Sequence, residues 1–127
     1  MAIIKYIVLI FATIVALSSC EEVVSLPSPA SENYLTVEAT LTNLPGPQKI
    51  LLSKSQAYFD NSAAPKISNA EVLVKDNLGN SYVFKESKEL GTYVWEPSNS
   101  AEIFGKVGRT YSLSVKWSNE VFQASAT

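Results

Sequence analysis

The sequence predicts an all-β fold, a β-sandwich of about seven short strands, on three observations. Apolar and polar residues alternate with period two in several separate stretches. Clusters of Asn, Gly, Pro and Ser stand between those stretches. After residue 20 no segment carries the 3.6-residue periodicity of an amphipathic helix. The chain has 127 residues, which sets one domain as the prior. Its apolar content of 46% belongs to a globular protein.

Taken in order, the first strand runs from Tyr34 to Thr42. Leu35, Val37, Ala39 and Leu41 share one side, and Thr36, Glu38 and Thr40 the other. Asn43-Leu44-Pro45-Gly46-Pro47 ends it with turn chemistry. A second short strand, Gln48 to Ser53, turns Ile50 and Leu52 inward, and a loop from Lys54 to Asn69 follows. Ala70 to Asp76 places Val72 and Val74 on one face and Leu73 on the other. Asn77-Leu78-Gly79-Asn80 reads as a hairpin turn in which Gly79 supplies a positive φ. Ser81 to Glu86 returns with Tyr82 and Phe84, and Thr92 to Glu96 carries Tyr93 and Trp95 on one face until Pro97 stops it. Ser98 to Gly108 is a connection, with one helical turn expected around Ala101 to Phe104. Arg109 to Trp117 is the clearest strand, and Ser118-Asn119 turns it into the last, Glu120 to Ala126. The whole fits a sandwich of immunoglobulin-like or transthyretin-like character.

The first nineteen residues have a different grammar. Lys5 is the only charge before a nearly unbroken apolar run from Tyr6 to Leu17, closed by Ser18 and Ser19. A basic start, an apolar centre of this length and a small-residue end describe a secretory signal peptide. A bilayer span needs about 20 apolar residues, more than this run supplies. Leu17-Ser18-Ser19-Cys20 resembles the lipobox of bacterial lipoproteins. The resemblance implies that Cys20, the single cysteine, becomes the first mature residue and carries diacylglycerol on sulfur and an acyl chain such as palmitate on its amine. Several acyl chains, at about 0.8 kcal/mol per buried methylene, anchor stably where one is marginal. Glu21 and Glu22 resemble the acidic signals that send Bacteroidetes lipoproteins to the cell surface. From residue 20 to 33, two prolines and several serines predict a flexible tether, leaving 34–127 as the folded domain.

Charge narrows the partners. Without Lys5 the chain carries a net −3 and shows no basic patch, which argues against nucleic acid. There is no histidine, so the commonest general base and zinc ligand are missing. No Gly-rich phosphate loop and no G-x-S-x-G elbow occurs, and no cofactor is expected.

The order of motifs carries a resemblance. A lipobox with Cys20-Glu21-Glu22 is followed by Leu-Thr-Val-Glu-Ala at 35–39, Asn-Leu-Pro-Gly-Pro at 43–47 and Ala-Tyr-Phe-Asp-Asn-Ser at 57–62. Asn-Ala-Glu-Val-Leu-Val-Lys-Asp-Asn-Leu-Gly-Asn at 69–80 and Gly-Lys-Val-Gly-Arg-Thr-Tyr-Ser-Leu-Ser-Val at 105–115 complete it. The chain resembles the N-terminal part of the Bacteroidetes outer-membrane lipoproteins grouped as DUF4249, a domain of unknown function. That resemblance implies a lipid-anchored outer-membrane protein, often encoded beside TonB-dependent transporters. Such proteins continue into a further β-rich region, so a truncated chain is expected.

Several constellations have a functional and a plainer reading. Asp76, Asn77 and Asn80 offer oxygens to calcium, but lack the alternating acids and distal glutamate of a calcium loop, and a hairpin turn explains them. Tyr93, Trp95 and Trp117 sit on apolar strand faces and read as core. Tyr58, Phe59 and Asp60 lie in a long loop, where function concentrates, and are the candidate ligand site. Asp60 and Asn61 also suit bonds to the loop's own backbone. Glu86 and Glu89 form a carboxylate pair in a charged turn and read as solvated surface rather than glycosidase machinery. The expectation is therefore a non-enzymatic, lipid-anchored accessory of a TonB-dependent uptake system. The alternative is a glycan- or peptide-binding module using the loop around Tyr58 and Phe59.

Overall fold

The computed structural model describes residues 1–16, 34–57 and 60–127. A helix, α1 (Ala2–Ala16), is followed by seven strands: β1 (Leu35–Thr40), β2 (Gln48–Lys54), β3 (Glu71–Asp76), β4 (Ser81–Glu86), β5 (Thr92–Trp95), β6 (Tyr111–Trp117) and β7 (Glu120–Ala126). The fold is all-β apart from α1, and every strand expected from alternation forms within two residues of its predicted ends.

All pairings are antiparallel, in the order β1-β2-β5-β4-β3-β6-β7. The two layers expected of a sandwich are halves of one curled sheet. β4 joins them by dividing its pairing: Ser81 to Phe84 ladder with β3, while Lys85 and Glu86 ladder with Val94 and Tyr93 of β5. A strand that changes partners along its length turns the sheet over on itself.

The inward residues of both halves meet in a single core. Ile50 and Leu52 of β2, Val72 and Val74 of β3, Phe84 of β4, Tyr93 and Trp95 of β5 and Val115 of β6 are buried together with Ile67 and Phe104 from the loops. Leu73 faces away from that cluster, as the two-residue period requires. The β3–β4 and β6–β7 hairpin turns follow their sequence signals. Gly79 has φ 90°, while Ser118 and Asn119 have φ of 50° and 65°, the type I′ pattern of a two-residue hairpin.

Two stretches differ from expectation. β1 stops at Thr40 because the Thr42 N–H is taken by the side chain of Gln48, 2.9 Å away, instead of a strand partner. No helical turn forms around Ala101 to Phe104. The Asn99 side chain accepts the Ala101 N–H at 3.0 Å and its carbonyl accepts the Glu102 N–H at 3.1 Å, closing one tight turn that goes no further.

That connection is nevertheless the centre of the core. Phe104 is fully buried and touches Tyr82, Phe84, Trp95 and Tyr111, with ring centroids 4.5 to 5.8 Å away. Tyr111 fixes the loop around it, its hydroxyl donating to the Phe104 carbonyl at 3.1 Å and accepting the Lys106 N–H at 2.9 Å. Gly105 donates to the Thr42 carbonyl at 3.0 Å, and a Cβ there would stand 2.6 Å from that oxygen, so only glycine allows the approach. Phe104→Ala is expected to lower stability by about 3–5 kcal/mol, read as a reduced urea midpoint, because the ring contacts both halves and the cavity cannot collapse from one side.

Candidate functional site

Among the described residues the curled sheet does not close, and its outermost strands are β1 and β7. Their inward positions are Leu35, Val37 and Ala39 on β1, with Leu41 beyond it, and Phe122, Ala124 and Ala126 on β7. At one end of the seam, Leu35, Val37, Phe122 and Trp117 of β6 pack against the core. Lys54 caps that end, its ammonium 5.3 Å from the centre of the Trp117 ring. At the other end, Ala39, Ala124 and Ala126 are too small to meet across the gap. A groove of about 720 Å³ remains there, within the size range of ligand pockets.

The floor of the groove is Val74, Leu113 and Tyr111, so its lining is mainly apolar. One wall is the end of β1 and the residues to Asn43, the other is the end of β7, and the connection from Gly105 to Arg109 closes one end. Two charged side chains line it, Lys106 and Arg109, and no carboxylate side chain does.

Arg109 is held in place by Asp76. Its Nη1 lies 2.7 Å from Asp76 Oδ2, with the Asp76 side chain buried and the Arg109 side chain one-fifth exposed. Asp76 also accepts the Leu78 and Asn80 N–H groups at 3.0 and 2.9 Å, Asn80 Nδ2 at 2.8 Å and the Tyr82 hydroxyl at 3.2 Å. One carboxylate thus closes the β3–β4 turn and ties it to the connection before β6. Burial opposes ionisation of Asp76, but the bonds from Asn80, Leu78 and Tyr82 outweigh it and lower the carboxyl from 3.8 to about 2. Burial and the neighbouring Asp76 charge push the Tyr82 phenol up.

The residues singled out from sequence are dispersed. Cys20, Tyr58 and Phe59 lie outside the described residues, as does the tether. Asp60 is exposed and bonds its own loop, its Oδ1 accepting the Ser62 N–H at 2.9 Å, which lowers its pKa. Tyr93 and Trp95 are core residues, and Trp117 packs against the core. Tyr93 is wholly buried, its hydroxyl accepting the Ala70 N–H and donating to the Ile67 carbonyl. Asp76 and Asn80 form the turn as the plainer reading had it, and among the described residues no group of three His, Cys, Asp or Glu side chains gathers to hold a metal. Glu86 is exposed, accepting the Asn69 N–H at 3.0 Å, which lowers its pKa. The groove itself was not read from sequence. Its signal was the pair Ala124 and Ala126 at inward positions of the final strand, where large residues would close the seam.

The sequence profile of the family described as "Domain of unknown function (DUF4249)" matches residues 21–127. The chain belongs to the DUF4249 family. No curated protein and no solved structure matches it. The DUF4249 match covers every strand and both walls of the groove.

The Asp76 carboxyl generates a pH prediction. Its pKa is lower folded than unfolded, so it contributes stability above about pH 4 that is lost as pH falls through 2. In urea titrations the parent chain should lose stability across that window. Asp76→Asn should be less stable at pH 7 yet show a shallower fall between pH 4 and 2, the remaining slope coming from carboxyls such as Asp60 and Glu86.

Proposed function

We propose that this protein is a lipid-anchored lipoprotein of the bacterial outer membrane, displaying a non-catalytic β-domain that acts by contact at a TonB-dependent uptake system. The observation that carries the anchoring is the sequence Leu17-Ser18-Ser19-Cys20 behind an apolar helix. The helix, α1, has 15 residues, a rise of roughly 22 Å against a hydrocarbon core of about 30 Å. No helix among the described residues is long and apolar enough to cross a membrane. Its side chains Ile3, Ile4, Tyr6, Ile7, Val8 and Leu9 are exposed, as suits a segment that partners lipid or the export machinery rather than the sheet.

Membrane attachment then rests on Cys20, whose acyl chains supply what the short helix does not. The acidic pair Glu21-Glu22 and the family resemblance support a Bacteroidetes surface lipoprotein, and the transporter partner rests on that same resemblance. Contact rather than catalysis is supported by the composition: without histidine, no imidazole base is present to activate a nucleophile.

The test is metabolic labelling in a Bacteroidetes host with an alkyne-bearing palmitate analogue, followed by fractionation. The parent chain should take up label and sediment with outer membranes, and Cys20→Ala should lose both. Label retained by Cys20→Ala, or a parent chain found in the soluble fraction, would remove the anchor. Co-purification of a TonB-dependent transporter from gently solubilised membranes tests the partner, and its absence would leave the anchor standing alone.

A further inference from the structure

We propose that residues 22–28 of this chain dock on β1 as an added antiparallel strand, filling the groove of the seam with Val24 and Leu26. The backbone of β1 sets which of its positions can take a partner. Tyr34 exchanges bonds with Ser55, its N–H reaching Ser55 Oγ at 3.0 Å and its carbonyl accepting the Ser55 N–H at 2.8 Å. Bonded pairs alternate along an antiparallel ladder, so Thr36, Glu38 and Thr40 also direct their amides and carbonyls to β2. Leu35, Val37 and Ala39 direct theirs to the other side, where no group among the described residues meets them.

The sequence before Tyr34 includes Glu21-Glu22-Val23-Val24-Ser25-Leu26-Pro27-Ser28-Pro29. Proline has no N–H, so on an edge strand it stands only where the amide would face solvent. Pro27 and Pro29 share one parity, which leaves Ser28, Leu26 and Val24 to bond β1. A turn over residues 30–33, with Ser31 and Asn33 as turn formers, sets Ser28 opposite Leu35, Leu26 opposite Val37 and Val24 opposite Ala39. In the other parity Pro27 would have to donate a bond it does not have.

Opposed residues share a face of a sheet, so this register turns Val24 and Leu26 inward. Val24 then stands beside Ala39, one of the small residues that leave the groove wide. Charge agrees with the register. Glu22 follows on the same face, opposite Leu41, at the end of the groove lined by Lys106 and Arg109. Asp76 already neutralises Arg109, whereas no carboxylate among the described residues meets Lys106, and Glu22 supplies one. Strand and groove belong to one chain and are joined by a short turn, so docking is intramolecular, at an effective concentration that a separate molecule does not reach. Docking requires no acylation of Cys20; on an acylated chain it draws the lipid to the groove end of the sheet.

The test is amide hydrogen exchange of the full, isotope-labelled chain in mild detergent, read by NMR. The amides of Val24, Leu26, Ser28, Val37 and Ala39 are expected to exchange at least about tenfold slower than in an unstructured chain. Leu26→Pro deletes a bonding N–H and should return them to unstructured rates, whereas Ser25→Pro adds a proline at the parity of Pro27 and should leave them protected. Both variants should keep the parent's strand content by circular dichroism, which separates loss of docking from loss of the fold. Glu22→Lys sets like charges together at Lys106 and should cut the protection of Val24 several-fold.

Unstructured exchange rates at Val24 and Leu26 in the parent chain would overturn the proposal. So would protection of Val37 and Ala39 that survives Leu26→Pro, because another segment would then hold the edge. Equal effects of Leu26→Pro and Ser25→Pro would rule out the register. Protection found only where sedimentation shows a dimer would give the groove to a second copy and sink the intramolecular docking.

Discussion

The divided pairing of β4 is the constraint on which the rest of this structure depends. Four of its residues ladder with β3 and two with β5. The sheet must therefore bend at one strand and fold its inner faces together. A single core then serves both halves, and no pair of sheets has to be brought together from separate parts of the chain. The bend leaves a space that no strand fills, and Phe104 fills it from a loop. Removing water from that ring and its neighbours is the main local gain, since an aromatic side chain buries on the order of 150–250 Å².

The polar interactions sit where the apolar ones cannot specify geometry. Asp76 gathers two backbone amides and an amide side chain of the β3–β4 turn, a phenol of β4 and a guanidinium of the connection before β6 around one carboxylate. Tyr93 and Tyr111 do similar work with hydroxyls, tying the connection before β3 and the loop of Phe104 to the sheet. Every buried side-chain polar atom among the described residues has a partner, as a domain without disulfides requires, because an unpaired buried group costs about 1–3 kcal/mol.

The same economy explains the open seam. A seven-stranded sheet can be closed or left with edges, and closure needs side chains large enough to meet across the last gap. Trp117, Phe122 and Val37 pack against the core at one end, while Ala39, Ala124 and Ala126 leave the other end wide. The resulting groove is rimmed by the arginine that Asp76 holds in place, so the stability of the β3–β4 turn and the shape of the candidate site are coupled through one ion pair.

The chain by itself determined the strands, the turns and most of the core. Period-two alternation assigns Ile50, Leu52, Val72, Val74, Phe84, Tyr93 and Trp95 to one side, and positive-φ turn residues set the hairpins, because both are local properties of backbone geometry. Tertiary structure alone decided where β4 changes partners, that Phe104 leaves an apparently helical stretch to fill the core, that Asp76 reaches Arg109 33 residues away, and that the sheet stays open. These are relations between distant segments, fixed by which side chains compete for the same space and the same hydrogen-bond donors, and alternation within a strand carries no record of them.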